Sequence, residues 1–346
     1  DGPYGIREPV SIFTERSFPF NPETGSIGIP NYEGLLKIIP EDEMTPPQGN
    51  RAGRSWTYHK YLPLLDFPGR YGKVKDIRDF CLKAQIVSYE QYRALQEGFN
   101  YKMWDWYSGM LVWKNQNPWT ALRGFFYDYF LDYTGGYFGY KHGANPVHIQ
   151  LNLNDSVVCV LNQTAQKLSN IDAKILLYDM HGKLLSESKR NVSLNANDLI
   201  LLDKINIPGN TNEIFFLKLI LTDNSKKLLD ENLYWLSSKP GSYEKLNELV
   251  SVSVKAGISK SDDKHTIISV SNPGIETAFF IRLKITDLKN ELVLPSYFTD
   301  NYFTLLPGDE KQIGLDFNSE EINMGNHNDL KLVVEGWNIL PLEKKF

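Results

Sequence analysis

The sequence predicts a multidomain chain: an incomplete α/β segment followed by two immunoglobulin-like β-sandwiches. Three observations carry that expectation. Residues 1–146 alternate short apolar runs with helical periodicity, the grammar of an α/β unit. From 147 onward, strand-length apolar or alternating runs recur at regular spacing with turn formers between them, and no long helix interrupts. A length of 346 residues with 42% hydrophobic and 23% charged residues suits two or three folded domains better than one.

The α/β segment opens with proline- and glycine-rich residues 1–55, read as loop, a short strand near Phe18–Phe20, and loop. Residues 31–39 read as a short helix that Pro40 stops. Residues 40–75 hold many turn formers and little periodicity; so long a loop inside a compact domain is usually functional. Over 76–101, Ile77, Phe80, Cys81, Ala84, Val87, Tyr92, Leu95 and Phe99 keep a period near 3.6, so this is the clearest helix. Asp76 and Asp79 fall in its first turn, where negative charge suits the dipole, and Gly98 is the expected terminator. Met110–Trp113 is continuously apolar, as in a parallel strand buried on both faces. Residues 120–133 are expected to be helical, with Leu122, Phe125, Phe126, Tyr129 and Phe130 inward and Gly135-Gly136 at the end. That supplies two strands of a (β/α)8 barrel, not eight. A lone parallel pair leaves sheet edges unpaired, so either residues 1–146 are the last quarter of a barrel that another chain completes or this region is not a barrel segment.

In the first sandwich, 147–238, strands are expected at 148–153, 156–161, 173–179 and 183–185 around a His181-Gly182 turn, then at 213–221 and 228–236. Residues 239–248 read as a linker. In the second sandwich, 249–346, the runs are 250–255, 265–271, 279–286, 302–305, 312–317 and 331–335.

Composition excludes several functions. A net charge of −5 and a pI near 5.8 leave no basic stripe to neutralise phosphates, so no nucleic acid partner is expected. No apolar run approaches the ~20 residues of a membrane helix, so no membrane partner is expected either. Cys81 sits in a helical pattern and Cys159 in a strand pattern of another unit, which favours two free thiols. No cysteine or histidine spacing suggests zinc, and no calcium loop, phosphate loop or Ser-His-Asp order stands out, so neither metal nor cofactor is expected. The sequons Asn162-Gln-Thr164 and Asn191-Val-Ser193 are acceptors only in a secretory setting. A secreted, periplasmic or vacuolar location with its signal upstream of Asp1 fits best.

Two segments point to chemistry. Ser17-Phe-Pro-Phe-Asn-Pro-Glu23-Thr-Gly25 places a carboxylate at the end of a short apolar run, just before a Gly/Ser turn. Gly109-Met-Leu-Val-Trp113-Lys-Asn-Gln-Asn-Pro-Trp119 is an apolar strand ending in aromatics and amides. Carboxylates and tryptophan platforms at the C-terminal ends of barrel strands are what sugar-cleaving barrels use, because pyranose C–H faces stack on aromatic rings. Candidate contacts are therefore Trp113 as platform, Asn115 and Asn117 toward sugar hydroxyls, Trp119, and Trp56, Tyr58 and His59 at the tip of the long loop. Each has a plainer alternative. Glu23 then lies in a surface turn, the tryptophans belong to the core, Asn117-Pro118 is ordinary turn chemistry and His59 is a hydrogen-bonded structural group.

The chain resembles the endo-β-mannosidase branch of glycoside hydrolase family 2. The resemblance rests on Asp79-Phe-Cys-Leu-Lys-Ala-Gln, Gln91-Tyr-Arg-Ala-Leu-Gln-Glu-Gly, Val112-Trp-Lys-Asn-Gln-Asn-Pro-Trp-Thr-Ala-Leu-Arg-Gly, Pro146-Val-His-Ile-Gln-Leu-Asn-Leu, Trp56-Thr-Tyr-His-Lys-Tyr and Phe20-Asn-Pro-Glu23-Thr-Gly-Ser-Ile-Gly. It is strong to about residue 155 and fades across the sandwiches. It implies retaining cleavage of the Man-β-1,4-GlcNAc bond of N-glycan oligosaccharides, with Glu23 as nucleophile. It also implies that the acid/base Glu, in an Asn-Glu pair, lies in an upstream portion of the same enzyme holding a sugar-binding domain, an Ig-like domain and the first barrel strands. The pairs Asn212-Glu213, Asn247-Glu248 and Asn290-Glu291 fall in sandwich or linker segments. Related branches act as exo-β-mannosidases or exo-β-glucosaminidases; a non-catalytic carbohydrate-binding or structural subunit is the remaining alternative.

Overall fold

The computed structural model describes residues 4–15, 18–48, 51–209, 212–260, 265–316 and 329–346. Its N-terminal segment runs α1 (Pro9–Thr14), β1 (Phe20–Thr24), α2 (Tyr32–Leu36), α3 (Arg54–Tyr58), α4 (Ile77–Tyr101), β2 (Gly109–Val112) and α5 (Gly135–Gly143). β1 and β2 form a two-stranded parallel sheet, with Phe20 opposite Gly109 and Thr24 opposite Val112. β1 begins at Phe20, where the predicted strand ended, so the whole Asn-Pro-Glu segment is strand rather than loop.

The helix over 76–101 forms with Asp76 as its N-cap, accepting from the Asp79 amide. Gly98 does not end it. A Cβ there would lie 2.9 Å from Ile12 Cγ2, so the glycine lets α1 cross the helix and α4 continues to Tyr101. The predicted helix over 120–133 is absent. Its backbone is spent on long-range bonds instead: the Leu122 amide donates to the His59 carbonyl, Phe126 to Asn115, and Leu62 to Leu122. Gly135 and Gly136 open α5 rather than closing a helix. Added Cβ atoms at Gly135 and Gly139 would sit 2.4 and 2.2 Å from the carbonyl oxygens of Gln85 and Tyr89, so the glycine face allows α5 to lie directly on α4. β2 is not buried on both faces either: Leu111 is 56% exposed, with no cover on that side among the described residues.

The first sandwich comprises β3 (Val147–Asn152), β4 (Val157–Asn162), β5 (Leu168–Asp179), β6 (Leu184–Leu194), β7 (Asp198–Lys204), β8 (Ile214–Thr222) and β9 (Leu228–Ser237). Sheets β3-β4-β7 and β6-β5-β8-β9 enclose a core of their own, including Ile149, Val160, Ile175, Leu217 and Leu219. Asn162 is buried, its side-chain amide donating to the Gln166 and Asn195 carbonyls, so the first sequon is closed to a glycan. Cys81 and Cys159 are free and buried.

The second sandwich comprises β10 (Lys255–Lys260), β11 (His265–Ser271), β12 (Ala278–Asp287), β13 (Tyr297–Phe298), β14 (Phe303–Leu305), β15 (Glu310–Asp316), β16 (Leu330–Glu335) and β17 (Leu342–Lys345), in sheets β10-β11-β15-β13 and β14-β12-β16-β17. The expected strand over 250–255 lies outside the ladder. Val252 exchanges backbone bonds with the Asn338–Leu340 stretch, and pairing with β11 starts only at Lys255. Phe317, the expected end of β15, lies outside the described residues.

The segment read as a linker is a packed strap. Tyr243 stacks on Tyr71 at 5.1 Å, Leu246 is fully buried, Asn247 donates to the Tyr71 carbonyl and Trp337 Nε1 to the Leu246 carbonyl. Beyond it the second sandwich shares one continuous core with the N-terminal segment. Tyr89 of α4 meets Trp235 of β9 and Phe280 of β12 at 5.6 and 5.9 Å.

α4 also meets the first sandwich through polar groups. His148 Nδ1 lies 2.7 Å from Asp230 and Nε2 3.4 Å from Glu97, all three buried. Burial opposes charge on this imidazole, yet the charge of Asp230 and bonds from both carboxylates lift it to about 9. A pKa raised above the unfolded value of ~6.5 stabilises the fold fully below that value and is lost as pH rises through 9, a contribution of about 3 kcal/mol. Urea midpoints are therefore expected to fall between pH 7 and 10 in the native chain, and the His148→Gln variant should lose that part of the slope. An unchanged slope would place the titrating group elsewhere.

Candidate active site

Parallel pairing brings the C-terminal ends of β1 and β2 side by side, and those ends carry Glu23 and Trp113. The ladder is irregular between Asn21 and Thr24, where Glu23 sits. The Asn21 side chain is buried and accepts from the Glu23 amide at 3.1 Å, which fixes the backbone at the irregularity. The Trp113 amide donates to the Thr24 carbonyl at 2.7 Å, and the Trp113–Lys114 peptide is cis. Gly25 makes the close approach possible: a Cβ on it would stand 2.2 Å from the Trp113 carbonyl oxygen. Gly25→Ala is therefore expected to push the two strand ends apart. It should cost about 1–3 kcal/mol of stability through overpacking, checked by urea unfolding. A variant as stable as the parent would show that the ends are not tightly apposed. Ser17, at the start of this segment, lies outside the described residues.

A residue the sequence did not single out completes the cluster. Tyr4 sets its ring edge-on to Trp113 at 5.5 Å, and its hydroxyl hydrogen-bonds to the Glu23 carboxylate. Burial, then the bond and charge of Glu23, push the Tyr4 phenol up to about 12, so it stays protonated and donates. No motif marks Tyr4, because it lies in a loop sixteen residues before β1 and only the fold brings it to the strand ends. Cations flank the same indole. Lys114 Nζ is 4.3 Å from the Trp113 ring centroid and the Arg123 guanidinium 5.9 Å. Burial and the Arg123 charge lower the Lys114 ammonium.

The remaining candidates separate. Trp56 is buried; its Nε1 donates to the Glu43 carbonyl at 3.0 Å and its ring packs edge-on against Tyr61 and Phe80. It is a core residue with no face for a sugar. Asn117 is also buried, donating to the Ala121 and Arg123 carbonyls, and shapes the loop rather than the cleft. Asn115 is exposed, while its carbonyl anchors the Phe126 and Tyr127 amides. Tyr58, His59 and Trp119 form a second aromatic group. His59 stacks on Trp119 at 5.9 Å, Tyr58 stands edge-on to both, and His59 Nδ1 is held by the Thr120 carbonyl and hydroxyl. The bond from the Leu122 amide to the His59 carbonyl ties this group to the loop that carries Arg123. The pairs Glu23/Trp113 and Tyr58/Trp119 thus share one stretch, 113–123, as a common wall. Among the described residues, no three His, Cys, Asp or Glu side chains gather to hold a metal.

Comparison with known proteins identifies relatives of this chain. Residues 155–239 match the mannosidase Ig/CBM-like domain and residues 232–339 the exo-β-D-glucosaminidase Ig-fold domain. The chain is 31% identical, over 92% of its length, to a mannosylglycoprotein endo-β-mannosidase of Lilium longiflorum. It is 27% identical, over 95%, to an exo-β-D-glucosaminidase of Hypocrea jecorina. It spans 42% of each of those relatives. The Amycolatopsis orientalis exo-chitosanase crystal structure shares its fold over the full chain, with a TM-score of 0.86 at 24% identity and 45% of that chain covered. The chain is thus a member of glycoside hydrolase family 2 in its mannosidase and glucosaminidase branch, fits the C-terminal portion of such an enzyme, and spans under half the length of the relatives it matches.

Proposed function

We propose that this chain is the C-terminal portion of a retaining β-mannoside hydrolase acting on Man-β-1,4-GlcNAc linkages, with Glu23 as its nucleophile. The observation that carries the reading is the Glu23 carboxylate beside Trp113 on adjoining parallel strand ends, with the Tyr4 hydroxyl donating to it. In this reading β1 and β2 are late strands of a (β/α)8 barrel. The exposed side chains Phe18, Phe20 and Leu111 are the face that the upstream strands cover.

The chemistry follows from the arrangement. Glu23 attacks the anomeric carbon as the bond to the leaving oxygen breaks, and a glycosyl ester forms. The proton for the leaving oxygen comes from the upstream carboxyl group, which a retaining site holds about 5–5.5 Å from the nucleophile. Water then cleaves the ester with that group acting as base. Trp113 offers an indole to the apolar face of the sugar, and Tyr4 holds the carboxylate aimed. The chain alone lacks the proton donor, worth about 10²–10⁴-fold, and is inactive by itself.

The exo-β-glucosaminidase alternative draws support from the match over 232–339. An amino sugar, however, calls for a carboxylate partner, and residues 106–127 contain no Asp or Glu. This part of the wall supplies no such partner.

The test is covalent trapping. The assembly of this chain with its upstream portion is treated with a 2-fluoro-mannoside carrying a good leaving group, and the label is located by peptide mass. A label on Glu23 is expected. A label on another residue refutes the assignment; no label together with no hydrolysis of Man-β-GlcNAc substrates supports the non-catalytic alternative.

A further inference from the structure

The Tyr58/Trp119 group has features that stacking on a neutral sugar does not use. It lines an open groove of about 520 Å³ together with Arg54, Thr57 and Lys60, and no acidic residue contributes to the lining. Residues 51–60 and 113–123, which carry both aromatic groups, contain five cations (Arg51, Arg54, Lys60, Lys114 and Arg123) and no Asp or Glu, in a chain whose net charge is −5. The local sign is therefore opposite to that of the molecule. The cations are also available. The Arg54 side chain is 96% exposed, and its nearest carboxylate, Glu43, is 4.0 Å from Nε. That carboxylate is already engaged by the Ser55 amide at 2.7 Å. Lys60, just past the His59 C-cap of α3, has φ +58, a conformation that glycine or asparagine adopts at lower cost, so a cation stands where a simpler helix stop would serve. Trp119 has its ring stacked on His59 and remains part-exposed toward the groove.

We propose that Arg54, Tyr58, Lys60 and Trp119 form a subsite for a sugar ring that bears an anionic group, beside the cleavage point. The ring stacks its C–H face on Trp119 against the edge of Tyr58. Its carboxylate or sulfate lies between the guanidinium and the ammonium, where charge-assisted bonds from Arg54 and Lys60 replace those to water. This rests on the reading of this end of the strand pair as a sugar-binding cleft. It adds a charge preference to it: acidic oligosaccharides over neutral ones, and neutral ones over amino-sugar oligomers.

The test uses this chain with its upstream portion and four disaccharides: cellobiose, its C6-oxidised uronic acid, its 6-sulfate and the glucosamine dimer. Binding is read by tryptophan fluorescence and by saturation-transfer NMR. The uronic acid or the sulfate is expected to bind about fivefold or more tighter than cellobiose, and the glucosamine dimer more weakly, with the gap narrowing as salt is raised. Whichever acid shows the larger gain identifies the anion. Arg54→Gln combined with Lys60→Gln is expected to bring the acidic sugars to the affinity of cellobiose, and Trp119→Ala to weaken all four. Both cations are exposed, so neither change threatens the fold. Equal affinities for the four sugars, or a preference that survives the double substitution, overturn the proposal. The same measurement on Glu23→Gln separates the two readings. Charge preference that persists there supports the subsite whatever the trapping experiment says of Glu23.

Discussion

Glu23→Gln, made in the chain assembled with its upstream portion, is expected to lower kcat on a Man-β-GlcNAc substrate by at least ~10³-fold, about 4 kcal/mol of transition-state stabilisation. The amide keeps the shape and a hydrogen-bond acceptor for Tyr4 but cannot attack the anomeric carbon. KM is expected to move much less, since the sugar still meets Trp113. The fold should not change: Glu23 is only part-buried and makes no ion pair among the described residues, so the urea midpoint is expected to match the parent. Glu23→Ala with added azide gives the sharper readout. If Glu23 is the nucleophile, the small anion takes its place on the same face of the sugar and releases an α-mannosyl azide. Residual hydrolysis within about tenfold of the parent, with ordinary β-retention, would remove Glu23 from the mechanism.

Arg282→Met is expected to have the largest effect on stability, about 3–5 kcal/mol, measured by urea unfolding. Arg282, on β12, reaches Glu33 and Glu335 with Nη1, both at 3.0 Å, and Asp132 with Nη2 at 2.9 Å. These carboxylates come from α2, from β16 and from the loop before α5, so one guanidinium joins the second sandwich to the N-terminal segment. Lys284 also contacts Glu33 and Glu335. Burial opposes charge on Glu33, but Arg282 and Lys284 hold its carboxyl well below the usual range. Burial raises Asp132, and burial with the Asp132 charge raises Asp128 to about 7. Methionine would leave three acids to a single lysine in a poorly solvated joint. Because Glu33 has a depressed pKa, its contribution is present above ~4.5 and lost as pH falls toward the folded value. The gap between parent and variant should accordingly hold from pH 7 to about 4.5 and shrink as the pH is lowered further. Arg282→Lys restores the charge but not the fork, and should recover only part of the loss. Equal midpoints for parent and Arg282→Met would mean that the joint carries no net stability.

Periodic elements were legible in the chain. α4 was read from its 3.6-residue repeat, and most strands of both sandwiches from apolar runs between turns. The failures share a cause. Gly98, Gly135 and Gly136 read locally as helix ends, but their lack of a Cβ serves close contacts with residues far away in sequence. Phe125, Phe126, Tyr129 and Phe130 mimic a helical stripe, yet the Phe126 amide donates to the Asn115 carbonyl and the Phe130 amide to the Asp128 carboxylate. At the site, the adjacency of Glu23 and Trp113 followed from two strand patterns and the resemblance. The inward turn of Trp56 and Asn117, and the arrival of Tyr4, depend on tertiary packing that no local pattern encodes.

The contact between Tyr89 and Phe280 has a consequence for synthesis. Phe280 follows Tyr89 by roughly 190 residues, so at ~5–20 residues per second a ribosome delivers it about 10–40 s later. During that interval the first sandwich can close its own core and set Trp235 against Tyr89, while the side of Tyr89 that Phe280 covers stays open. Nascent chains stalled before β12 should therefore recruit chaperones through α4, and slowing translation between residues 239 and 278 should lower the yield of folded protein more than slowing it within 147–238.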